Sequence, residues 1–393
     1  MKKIQGFVWA FFALASTATI TIAFNPTKKA PTNISALADN TKKAAPKVQV
    51  AILLDVSNSM DGLIDQAKAQ LWNMVSVLGK ATCNGVAPTI EIALYEYGRT
   101  SNSQKEGYVK QINGFINSLD SLSENLFALT TNGGDEYCGK VIYTAIEQLQ
   151  WDVAPENYKV IFIAGNEDFL QGTLKYTEAC TYAKQKGIIL NTIYCGDKKQ
   201  GIIEHWNLGG ECGSGSFTNI NSNAKFEDIA TPYDSTMYVL NTQLNGSYVT
   251  YNSIGIANQT KQGKMDMLNT TMNKSVGLKR IAAKANKAAY KNDNWDLVDA
   301  YEKNNKVLIG LDTKMLPDSL KNKSTAALET FVQAKIAERG VVQKQIDSLN
   351  TQRENYLIVE RKKRAENKTE QTLETEVEKI IKQQAIRYNI IIQ

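Results

Sequence analysis

From Val48 onward the chain alternates between two hydrophobic periods. VQVAILLDV (48–56) is a continuous apolar run that ends at an aspartate, the pattern of a strand buried on both faces. In MDGLIDQAKAQLWNMVSVLGK (60–80), Leu63, Ala67, Leu71, Met74 and Leu78 recur three or four residues apart, which predicts one face of a helix. TIEIALYEYG (89–98) predicts a second strand and YVKQINGFI (108–116) a weaker one. Val141, Ala145, Ile146 and Leu149 mark another helix. YKVIFIAGN (158–166) and GIILNTIYCG (187–196) are strong apolar strands, with a helical LKYTEACTYAKQK (174–186) between them and an edge strand expected at GSFTNIN (215–221). Strands alternating with helices predict an α/β fold, a Rossmann-like doubly wound and mostly parallel sheet. In such a sheet the functional site lies at the carboxyl ends of the strands.

The pattern changes after residue 222. Apart from a short strand expected at SYVTYN (247–252), no strand pattern remains. Residues 223–319 read as a helical and irregular region packed on or next to the sheet domain of 47–222. Residues 320–393 read as long helices, with Ile346, Leu349, Tyr356, Val359, Leu373, Val377, Ile380 and Ile381 at spacings that suit a helical hairpin or a coiled coil. They are expected to serve as an oligomerisation or docking arm. At the other end, a basic Met1-Lys2-Lys3 precedes an apolar stretch from Gly6 to Phe24, and Thr21-Ile22-Ala23 offers a small-residue cleavage site. Residues 1–23 are therefore read as a signal peptide and 24–46, rich in Lys, Ala, Thr and Pro, as a flexible linker. The expectation is an exported protein, periplasmic or extracellular, with no membrane span after cleavage.

Charge and composition remove several function classes. The 45 basic and 40 acidic residues nearly cancel, with no dense basic face, so no nucleic-acid partner is expected. The single histidine, His205, and the absence of CxxC leave no material for a Cys/His metal site. The five cysteines (83, 138, 180, 195 and 212) allow one or two disulfides in an oxidising compartment, with the pairing open. There is no GxSxG, HExxH or phosphate loop, and binding is expected rather than catalysis. TTNGGDEYCG (130–139) comes close to the GGDEF signature of diguanylate cyclases, but it is followed by a helical pattern where a hairpin would need a second strand.

The informative stretch is Asp55-Val56-Ser57-Asn58-Ser59, a D-x-S-x-S motif where the first apolar strand meets a helix. Here the chain, over about 48–222, resembles the von Willebrand factor type A family, and in particular exported bacterial members with a helical C-terminal extension. In that family the motif is the first loop of the metal-ion-dependent adhesion site, MIDAS. Carboxylate and hydroxyl oxygens suit a hard divalent cation, Mg²⁺ first, with Mn²⁺ or Ca²⁺ as alternatives. The family's second loop carries a threonine near a glycine pair, and here Thr131 precedes Gly133-Gly134 while Asp135 follows. The third-loop aspartate is absent, because Gly165 stands after Ala164 where the family has T-D-G. The resemblance therefore implies a cation held by Asp55, Ser57, Ser59, Thr131 and Asp135, with Asp135 replacing the missing acid and a carboxylate of a protein partner completing the coordination. The alternative is a metal-free scaffold with a degenerate site, whose helical arm mediates assembly. A thiol-dependent role at Cys138 or Cys195 is a third reading.

Overall fold

A computed structural model describes residues 46–58, 60–224, 228–364 and 372–392. The expected signal peptide and linker lie outside these residues, as does Ser59. The first half of the chain runs β1 (Lys47–Asp55), α1 (Asp61–Leu78), β2 (Ala81–Cys83), β3 (Thr89–Tyr97), β4 (Lys110–Ile116), α2 (Leu119–Ala128) and α3 (Cys138–Gln148). It continues through β5 (Tyr158–Gly165), α4 (Tyr176–Gln185), β6 (Ile189–Cys195), α5 (Lys198–Ile203), α6 (Trp206–Cys212) and β7 (Ser214–Ile220). The main sheet has the order β4-β3-β1-β5-β6-β7. Its pairs are parallel except for β4, which runs antiparallel to β3. β1 is central, which explains its apolar run from Val50 to Leu54: Val48, Val50, Ala51 and Leu53 are fully buried.

The strand order reverses at β1. Connections run outward on one side to β3 and β4 and on the other to β5, β6 and β7. Loops diverge at such a switch point and leave a crevice beyond the carboxyl ends of the strands. Asp55 closes β1 there, in register with Tyr97 of β3, and Leu54 is in register with Ala164 of β5.

Helices cover both faces. One face packs against α3, α4 and α6. Cys180 of α4 and Cys212 of α6 are joined by a disulfide, with Cα atoms 5.8 Å apart. The other face packs against α1 and α2 and against elements of the second half of the chain: α7 (Asp234–Gly246), α8 (Gly255–Met272), α9 (Lys274–Ala285), α11 (Thr325–Arg364), α12 (Leu373–Ala385) and β8 (Ile390–Ile392), while α10 (Leu297–Lys303) joins the start of α11 in a separate apolar cluster.

The C-terminal helices, expected to serve as an oligomerisation or docking arm, pack on the sheet. Val342 and Ile346 of α11, and Leu373, Val377, Ile380 and Ile381 of α12, are buried in the same core as Leu54 and Val160 of the sheet. Gln384 of α12 exchanges hydrogen bonds with Asn191 of β6 and accepts one from Tyr158 of β5. β8 pairs with β2, so the last described residues are tied to the segment after α1. The change at residue 222 is a change of layer within one core. The short strand expected over 247–252 is reduced to a single bridge between Thr250 and Asp296. No helix among the described residues is long and apolar enough to cross a membrane.

Candidate functional site

The site is built on the last residue of β1. Asp55 is fully buried. Its Oδ1 accepts the backbone N–H of Ser57 at 2.7 Å, the bond that bends the chain out of the strand. Its Oδ2 is buried without a hydrogen-bond partner. Gly98, just past β3, has a φ of +79°, and a Cβ there would stand 2.8 Å from Asp55 Oδ1 and 3.0 Å from Cγ of Glu136. Asp55 and Glu136 thus both pack against Gly98. Glu136 is 2% exposed, and its Oε2 is also buried without a partner.

The second loop therefore delivers a different acid from the one expected. Asp135 is exposed and accepts a hydrogen bond from the Tyr137 hydroxyl at 3.3 Å. Asp135 and Tyr137 turn outward and Glu136 turns in. Thr131 is not gathered into the site either, since its hydroxyl donates to Asp61 at 2.7 Å. Ser57 lies beside Asp55: it is 7% exposed, and its backbone N–H is the donor to Asp55 Oδ1.

The missing third-loop aspartate has a structural explanation. The Tyr97 hydroxyl donates to the Ala164 carbonyl at 2.8 Å, directly beside Gly165. A Cβ at Gly165 would overlap that hydroxyl and lie 3.1 Å from Asp55 Oδ2. The space for a longer side chain is filled by the tyrosine. Glu167, two residues on, is exposed and acts on Asp55 and Glu136 through its charge.

Burial pushes the Asp55 carboxyl up to about 7, and Glu167 adds to the rise. Burial pushes Glu136 up to about 9, with the charges of Asp55 and Glu167 contributing. In the unfolded chain both titrate near about 4. Between those limits the metal-free folded state holds more protons than the unfolded state, so these groups lower stability as pH rises. In EDTA, the melting temperature of the protein is expected to fall between about pH 5 and about pH 9 more steeply than that of Glu136→Gln, because the amide does not titrate. Parallel profiles would contradict the burial of a titrating Glu136.

The donor set fits a hard divalent cation. Two buried carboxyl groups lie against Gly98, and each has one oxygen without a hydrogen-bond partner, a costly arrangement that either protons or a cation would relieve. No group of three or more His, Cys, Asp and Glu side chains able to hold a metal occurs among the described residues, so hydroxyl and water ligands would have to complete the shell. The other candidates have local partners. Asp296, in the DNWD stretch that partly resembles a calcium loop, is paired with Arg339 at 2.8 Å and caps α10. His205 sits at φ 64° before α6, with Nδ1 3.1 Å from Asp168. Cys138 and Cys195 are free, but burial pushes both thiols well above their ordinary value, which opposes nucleophilic reactivity.

No family model matches the chain, and no curated protein matches it. Solved structures do. Proximal thread matrix protein 1 from the mussel byssus, with a zinc-occupied MIDAS motif, is 14% identical, with a TM-score of 0.32 over 44% of this chain and 42% of that one. A von Willebrand factor type A protein from Catenulispora acidiphila is 17% identical, with a TM-score of 0.33 over 45% of this chain and 39% of that one. BatB from Bacteroides thetaiotaomicron is 12% identical, with a TM-score of 0.33 over 56% of this chain and 99% of that one. The match thus spans about two-fifths of the first two proteins. The chain is similar to von Willebrand type A domains in fold.

Proposed function

We propose that this is an exported binding protein that holds a divalent cation between Asp55, Ser57 and Glu136 and uses it to recognise an acidic group on a protein partner. The observation that carries the reading is the pair of buried carboxyl groups, each with an unpartnered oxygen, at the switch point of the sheet. Mg²⁺ is the expected resident ion. When bound, it neutralises the two carboxylates and leaves coordination positions that a partner's carboxylate can fill. Asp55 and Glu136 supply the charge, Ser57 supplies a hydroxyl and orients Asp55 through its backbone N–H, and Gly98, lacking a Cβ, lets both acids approach it. No bond is made or broken, and the role is recognition. The Cys180–Cys212 disulfide supports an oxidising compartment and hence export.

A metal-free scaffold is the second reading, favoured by Asp135 and Thr131 turning away from the site. In it, Asp55 and Glu136 remain protonated. Calorimetric titration of Mn²⁺ and Mg²⁺ into EDTA-stripped protein separates the two. Saturable binding that is lost in Asp55→Ala, with a melting temperature that rises with metal concentration in the unaltered protein, supports the cation site. Absence of binding at millimolar metal in a protein that melts cooperatively selects the scaffold.

A further inference from the structure

The loop that carries Glu136, residues 129–137, has no regular secondary structure. Its position is set by what grips it. Asn132 N–H donates to the Val56 carbonyl at 2.9 Å, and Thr100 N–H donates to the Gly133 carbonyl at 2.8 Å. Gly134 presses on the 98–100 turn so closely that a Cβ there would lie 2.7 Å from the Gly98 carbonyl oxygen. The remaining grip is a charged side chain. The Arg99 guanidinium donates to the Thr130 carbonyl, and to the Thr130 hydroxyl at 3.2 Å.

Arg99 is itself held from behind. Glu96, 4% exposed, faces the guanidinium with both oxygens, 3.3 Å from Nε and 3.4 Å from a terminal nitrogen. A planar fork can meet a carboxylate on one edge and a carbonyl on the other, and an ammonium cannot. The guanidinium borders an open cleft of about 390 Å³ lined by Glu96, Lys110, Ile112, Leu129 and Thr130. Gly98, against which Asp55 and Glu136 converge, immediately precedes Arg99 in the chain. One turn therefore borders the cation space with its glycine and fixes the opposite loop with its arginine.

We propose that Arg99 is the positioning residue of the cation site: it anchors the start of the 129–137 loop, through Thr130, so that Glu136 faces Asp55. This rests on the cation reading above. It assigns to Arg99 a role in affinity without contact with the ion. Groups hydrogen-bonded directly to a metal's ligands typically contribute about 10- to 100-fold to metal affinity, and Arg99, which holds the loop that carries one, is expected at the lower end of that range.

The test is Mn²⁺ titration of the protein, Arg99→Lys and Arg339→Lys, each with a melting curve in EDTA. Arg339 lies in a separate buried ion pair and controls for general loss of stability. Arg99→Lys is expected to bind Mn²⁺ about 10-fold more weakly. Arg339→Lys is expected to lower the melting temperature and leave Mn²⁺ affinity unchanged. If Arg99→Lys does not fold, Thr130→Ala, which removes one of the two acceptors, is expected to weaken Mn²⁺ about threefold, a part of the same effect. Affinity within measurement error of the unaltered protein in the folded variant overturns the proposal while leaving an Asp55-dependent cation site standing. Absence of Mn²⁺ binding by the unaltered protein removes both.

Discussion

Glu136→Ala is expected to weaken Mn²⁺ binding by about 100-fold or more, whereas Asp135→Ala changes it by less than about twofold. The two residues are adjacent and chemically alike, so the contrast isolates geometry. Glu136 is buried, with an oxygen that no protein donor satisfies, and shares with Asp55 the space beside Gly98. Asp135 is exposed and engaged with the Tyr137 hydroxyl. Removing one of two carboxylates in direct contact with a divalent ion forfeits several kcal/mol even at the effective dielectric of a protein surface, and each 1.4 kcal/mol is tenfold. Removing an exposed charge outside the shell forfeits a screened interaction. Equal losses in the two variants would mean that the loop rearranges when metal binds. A larger loss in Asp135→Ala would restore the assignment made from the sequence.

That assignment shows where sequence reasoning reached its limit. Asp55 and Ser57 were legible because a D-x-S-x-S motif at the end of an apolar strand leaves its backbone little freedom. Glu136 was not, because GGDEY offers two neighbouring acids and the path of the loop selects between them. The parallel core strands were legible from their predominantly apolar runs. Helix α2 was not anticipated, although Leu119, Leu122 and Leu126 are spaced for one and Ser118 caps it. β2 and β8 are three residues each, too short to carry a pattern. The C-terminal helices were recognised as helices, but their irregular heptads were read as an arm. The irregularity reflects packing on the sheet's face and on neighbouring helices, where no 3.5-residue repeat is required.

Arg280→Ala is expected to cost about 3–5 kcal/mol of stability, because it breaks a buried ion network from one side. Arg280 of α9 is completely buried. Its guanidinium meets Asp120 of α2 at 2.7 Å and Asp266 of α8 at 2.6 Å, donates to the Gln262 carbonyl at 3.0 Å, and lies 4.7 Å from the centre of the Trp72 ring of α1. Lys284 also pairs with Asp266, at 2.7 Å, and Tyr290 donates to Asp120 at 2.6 Å. Burial alone would raise the Asp266 carboxyl, but Lys284 and Arg280 hold it well below the usual carboxylate range. Its stabilising contribution is therefore present above the unfolded-state value and is lost as pH falls through the lower folded-state value. Truncating Arg280 strands two buried carboxylates with one cation between them. Urea titration followed by tryptophan fluorescence and by circular dichroism measures the loss. The shape of the transition matters as much as its midpoint. Asp120 and Trp72 belong to helices laid directly on the sheet, and Asp266, Arg280 and Lys284 belong to the second half of the chain. If these halves form one core, as the shared apolar cluster indicates, the variant unfolds in a single transition at lower urea by both probes. Two separated transitions would show that the helical half can leave the sheet, and would return it to the role of a detachable docking arm.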